Sequence, residues 1–126
     1  MSFDPPSERW FRDIVDAIAM IEEFTRGMDY EAFRSNPMAV AAVERKLQIV
    51  SEAAIRLGGE AERRIPGQPW RDIRGIGNQL RHAYERIDLE TIWNAVTDDL
   101  PPLKAAVSKT IFASPSEFPP TMGIEP

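Results

Sequence analysis

Apolar residues recur at intervals of three and four through most of the chain, a spacing that suits helices and little else. In SERWFRDIVDAIAMIEEFTRG, residues Trp10, Phe11, Ile14, Val15, Ile18, Ile21 and Phe24 share one face, and Gly27 is placed to end the helix. A short turn, DYEAFRS, follows. Asn36-Pro37 then reads as N-cap and first residue of a second helix, which carries Val40, Val43, Leu47, Val50, Ala54 and Leu57 and stops at Gly58-Gly59. The polar, punctuated GEAERRIPGQP predicts a connecting loop. Pro69 opens a third helix with Trp70, Ile73, Ile76, Leu80, Ala83 and Ile87 on its apolar stripe. Asp88 suits the N-cap of a fourth, LETIWNAVTDDLPPLKAAVSKTIFA, in which Pro101-Pro102 predict a kink or a split. No segment alternates as a strand would. The expected fold class is all-α, an antiparallel bundle of four to five helices with a kinked last long helix. Residues 1–113 are expected to form the bundle, and the proline-rich residues 114–126 a flexible tail.

The composition narrows the classes of function. The 126 residues contain no cysteine and a single histidine, which excludes thiolate chemistry and disfavours a histidine metal cluster within one subunit. No metal site and no cofactor are expected. No apolar run is long enough to span a membrane, and the first residues lack a basic-then-apolar leader, so a cytoplasmic location is expected. The net charge of −5 argues against broad non-specific nucleic-acid binding. Its distribution is uneven. Between Arg63 and Arg86, six arginines face only Asp72 and Glu85, a local +4 that leaves −9 on the remainder. Such a segment suits local phosphate binding, or equally a solvated helix face with internal partners.

The lone histidine lies in that segment, in RGIGNQLRHAYERIDLETIW. On a helix at about 100° per residue, Arg74, Asn78, Arg81 and Glu85 fall opposite the apolar stripe, with Arg71 and His82 along the edge. A histidine titrating near neutrality beside arginine donors fits general acid–base chemistry on a phosphodiester. It also fits an exposed histidine without a catalytic role. Gly75 and Gly77 each cost roughly 1 kcal/mol relative to alanine in a helix, which points to close helix packing or to room for a ligand.

GNQLRHAY, with WRDIRGIG before it and ERIDLETIWNAV after, resembles the signature of the HepT-like ribonucleases, toxins of the HEPN superfamily. The likeness extends over roughly Trp10 to Phe112, including AVERKLQIVSEA and DLPPL. Asn78, His82 and Tyr84 match the asparagine, histidine and tyrosine of the family motif. Where that motif has an arginine directly before the asparagine, this chain has Gly77; Arg81 and Arg74 are the nearby substitutes.

The resemblance implies metal-independent RNA cleavage. His82 would move a proton, Arg81 or Arg74 would hold the phosphate, and Asn78 would orient one of them. It further implies a homodimer with the motif in a two-fold cleft, and a nucleotidyltransferase antitoxin that transfers AMP to Tyr84. An arginine restored at position 77 becomes a candidate gain-of-activity change. The alternative is a non-catalytic HEPN-type module that binds a partner protein or nucleotide. One geometric tension stands: on an ideal helix His82 and Tyr84 point ~200° apart.

Overall fold

The computed structural model describes residues 6–82 and 88–112. The expected tail, 114–126, lies outside them. Among the described residues there is helix and no strand. The elements are α1 (Pro6–Phe24), α2 (Tyr30–Arg34), α3 (Pro37–Leu57), α4 (Gly59–Arg64), α5 (Trp70–His82), α6 (Leu89–Asn94) and α7 (Leu100–Phe112), with a π-helical stretch, Ala95–Asp99, joining the last two.

The element boundaries follow from capping chemistry. Asn36 accepts a hydrogen bond from the Ala39 amide at 3.0 Å and Pro37 fills the first turn of α3, where its missing N–H is harmless. Asp88 does the same for α6, accepting from the Thr91 amide at 2.8 Å; the Thr91 side chain first, and then that backbone bond, hold its carboxyl below the usual value. Gly58, at φ +55°, ends α3 in a conformation that disfavours any residue with a Cβ.

Two expectations of irregular chain are corrected. DYEAFRS contains α2, capped by Asp29 accepting from the Ala32 amide, and GEAERRIPGQP contains α4. Both helices are too short to register as apolar periodicity. They exist because tertiary partners hold them: buried Phe33 stacks at 5.0 Å on the Trp93 ring, and Ala61 is fully buried. At the Pro101-Pro102 pair the departure from α geometry lies just upstream, in the π-helical stretch. The prolines follow as the second and third residues of α7; the Leu100 amide still reaches the Ala95 carbonyl five residues back, and the wider turn accommodates two residues that have no N–H to give.

The long helices pack antiparallel. Arg56 near the end of α3 lies over Trp10 near the start of α1, and Lys104 of α7 bonds Glu22 near the end of α1. α1 packs on α3 and α7, and α3 packs on α5. Phe11, Ile14, Ile18, Leu47, Val50, Leu103 and Val107 lie in one buried core, which is the predicted bundle. Glu8 is buried with it, bonded at 2.8 Å by Arg64, whose guanidinium also covers Phe11 and so ties α4 to α1. Among the described residues, no helix is long and apolar enough to cross a membrane.

Candidate active site

α5 carries the histidine segment, and three contacts fix its position. Trp70 is buried, and its indole N–H donates to the Ile65 carbonyl at 2.9 Å, anchoring the first turn. Ile73 and Leu80 enter the core. Between them, Ser51 of α3, fully buried, inserts its hydroxyl against the α5 backbone. It donates to the Arg74 carbonyl at 2.9 Å and accepts from the Gly77 amide at 3.2 Å. A buried hydroxyl satisfied in both directions stabilises this approach instead of opposing it. Gly77 is buried at that contact. Of the two readings of the α5 glycines, close packing applies to Gly77. It does not apply to Gly75, where a Cβ would meet nothing within 4 Å.

Arg74 leaves the solvent face on which helical spacing puts it. Its side chain turns back toward the end of α3 and onto α4. Nε donates to the Ala54 carbonyl at 3.1 Å, Nη2 to the Gly58 carbonyl at 2.9 Å, and both Nη atoms reach the Glu62 carboxylate, at 2.8 and 2.9 Å. Each carbonyl also accepts a backbone amide, Ala54 from Gly58 at 3.3 Å and Gly58 from Ala61 at 3.1 Å, so the guanidinium adds a second donor to both and ties α5 to the end of α3 and to α4. The bidentate bond from Arg74 lowers the Glu62 pKa and in turn raises that of Arg74.

Asn78 is exposed on α5. Arg81 and His82 are the last residues of α5. Their side chains, and the whole of Tyr84, lie outside the described residues.

Along the same helix a cavity of about 510 Å³ opens between α5 and the α6–π segment. Arg71, Asp72, Gly75, Ile76 and Gln79 line it on one side, and Thr91, Asn94 and Asp99 on the other. Burial, then the Asp98 and Asp72 carboxylates, raise the Asp99 pKa. Arg71 makes no ion pair among the described residues. Ser51 and this cavity were not foreseen. Ser51 had a signal: a hydroxyl on the stripe between Leu47 and Ala54 must find a partner in the neighbouring helix. The cavity had none, because its two walls are distant in sequence. Among the described residues, no group of three or more acidic, histidine or cysteine side chains is arranged to hold a metal ion.

Comparison with known proteins places this helix in context. The sequence model described as ribonuclease HepT-like matches residues 14–110. A Thermococcus cleftensis protein named "Probable ribonuclease HepT" is 36% identical over 100 residues, covering 79% of this chain and 91% of that protein. Methanocaldococcus jannaschii "Putative RNase MJ1380" is 35% identical over 95 residues, covering 75% and 87% respectively. Caldanaerobacter subterraneus "Putative RNase TTE0752" is 26% identical over 102 residues, covering 81% and 91%. No solved structure matches.

Proposed function

Because the chain belongs to the ribonuclease HepT-like family, we propose that it is a metal-independent RNA endonuclease, the toxin of a toxin–antitoxin pair, neutralised by transfer of AMP to Tyr84. The observation that carries this reading is the family match over residues 14–110, which contains the motif residues Asn78, His82 and Tyr84 at family spacing.

The chemistry follows from the residue types. The ribose 2′-oxygen attacks the adjacent phosphorus, the bond to the 5′-oxygen breaks, and a 2′,3′-cyclic phosphate and a 5′-hydroxyl result. One proton leaves the 2′-hydroxyl and one reaches the departing oxygen. His82 is the group able to carry out such a transfer near neutral pH. The phosphorane gains negative charge on the way, which a guanidinium stabilises. Arg74 is occupied by Glu62 and two carbonyls, so Arg81 takes the phosphate role and Arg74 holds the helix that presents it. Asn78, exposed on the same helix, orients the phosphate.

Assembly as a homodimer brings two such helices to one cleft and doubles the arginines available. A nucleotidyltransferase antitoxin would add AMP to Tyr84. The bulk and negative charge of the adduct would then exclude RNA.

The test is cleavage of total RNA by wild type, His82→Ala, Arg81→Ala and Arg74→Ala, with and without chelator. His82→Ala should lower the rate roughly 10²–10⁴-fold, and Arg81→Ala should cost more activity than Arg74→Ala at temperatures where both are folded. Chelator should change nothing. Activity retained in His82→Ala, or lost with chelator, would refute the assignment. Gly77 in place of the motif arginine favours a second reading, a non-catalytic module that binds a protein or nucleotide. That reading requires a wild type that cleaves nothing.

A further inference from the structure

We propose that the cavity between α5 and the α6–π segment is a guanine-binding subsite for the RNA strand, set one to two helical turns from His82. The inference rests on the ribonuclease reading for its choice of ligand, but the cavity is defined without it. At about 510 Å³ it falls within the range of small-ligand sites and holds a nucleoside with room for the flanking phosphate.

The lining selects among bases. Asp72 and Asp99 supply carboxylate acceptors, while Arg71 and Asn94 supply donors beside them. A base that engages both kinds of partner on one edge gives a carboxylate two adjacent donor groups and gives Arg71 or Asn94 an acceptor beside them. Guanine alone offers that order, through N1–H, N2–H and O6; adenine, cytosine and uracil each present a single donor group. Single-stranded RNA leaves this edge open to side chains. Ile76 is half-buried and lines the same cavity, offering an apolar surface to the ring. Gly75 contributes no side chain, and the space where its Cβ would project is empty.

Position supports the strand assignment. Arg71, Gly75 and Gln79 succeed one another at one-turn spacing, and His82 continues the row. Gly75 and His82 are about 10 Å apart along the axis at 1.5 Å per residue, a distance that neighbouring nucleotides of one strand can span. The base in the cavity would therefore fix which phosphate meets His82, and cleavage would fall at a set distance from a guanosine.

The test is calorimetric titration of the full chain with GMP, AMP, CMP and UMP, and with short single-stranded oligoribonucleotides containing or lacking one guanosine. Guanine ligands should bind about tenfold or more tightly than their counterparts, and the guanosine oligonucleotide more tightly than GMP. Asp99→Asn and Gly75→Leu should each abolish the preference. Gly75→Leu should do so while keeping or raising the melting temperature, since leucine is the better helix former and fills open space.

Equal binding of all four nucleotides would overturn the proposal, as would a preference surviving both variants. GMP binding as tightly as the oligonucleotide would also overturn it, and would indicate a site for the free nucleotide. RNA cleavage without guanosine preference would remove the subsite and leave the ribonuclease reading standing. Guanine-selective oligonucleotide binding by a chain that cleaves nothing would uphold the subsite and remove the ribonuclease reading.

Discussion

Arg74 is bonded to two helix-end carbonyls and a carboxylate at once, so removing it should be felt in stability before it is felt in chemistry. Arg74→Ala is expected to lower unfolding free energy by about 2 kcal/mol in chemical denaturation. Arg74→Lys should recover only part of that loss, because an ammonium cannot reproduce the planar fork. Gly77 bears on the gain-of-activity idea raised by its place in the motif. The position is buried and its amide bonds the Ser51 hydroxyl. An arginine there must either bury its charge against α3 or push α5 away. Gly77→Arg is therefore expected to destabilise the chain by roughly 3 kcal/mol or more, measured by thermal or urea unfolding, and not to raise cleavage. An assay at a temperature where the variant stays folded separates the two effects.

The α3–α4–α5 junction should respond to pH through Glu62. Its folded pKa lies below the ordinary value of 4.5 because Arg74 hydrogen-bonds the ionised carboxylate. Its stabilising contribution is then complete above that ordinary value and is lost as pH falls through the folded pKa. Acid unfolding followed by circular dichroism should accordingly show a shallower decline below about pH 4.5 for Glu62→Gln than for wild type. Wild type and variant falling in parallel would show that Glu62 contributes nothing there. The same junction shows why some elements were legible in sequence and others were not. α1, α3 and α5 could be read because each spends three or more turns against the core, long enough for Ile14, Ile18 and Ile21, or Val43, Leu47 and Val50, to set a period. α2 and α4 have five and six residues, and depend on contacts of Phe33 and Ala61 that no local pattern announces. Within the candidate site, the motif spacing at Asn78, His82 and Tyr84 was legible. The reach of Arg74 back across a turn to Glu62 was not, since a helical wheel assigns a direction to the Cβ and not to the end of a long side chain.

For the whole molecule, the proposed two-fold assembly makes a direct prediction: sedimentation at micromolar concentration should give twice the monomer mass, and a monomer would count against the shared cleft. Co-expression with a neighbouring nucleotidyltransferase should add the mass of AMP to the peptide carrying Tyr84, and Tyr84→Phe should block it. The five-residue π-helical stretch Ala95–Asp99 has a consequence of another kind. A π-turn holds one residue more than an α-turn, so it acts as a gear tooth between α6 and α7. It sets the angular phase at which Leu103, Val107 and Ile111 meet α1, while Ile92 upstream keeps its own phase in the core. Deleting Thr97, whose hydroxyl donates to the Trp93 carbonyl and the Asp98 carboxylate, would remove that extra residue and close the turn as α, leaving Pro101-Pro102 inside a continuous helix where they offer no N–H and crowd the preceding carbonyls. The side chains beyond it, Leu103, Val107 and Ile111 among them, would keep nearly their present phase, because a π-turn less one residue is an α-turn. The expected result is a chain that still seats its last helix in the core but loses roughly 3 kcal/mol or more in urea unfolding, the cost of prolines moved into a helix interior.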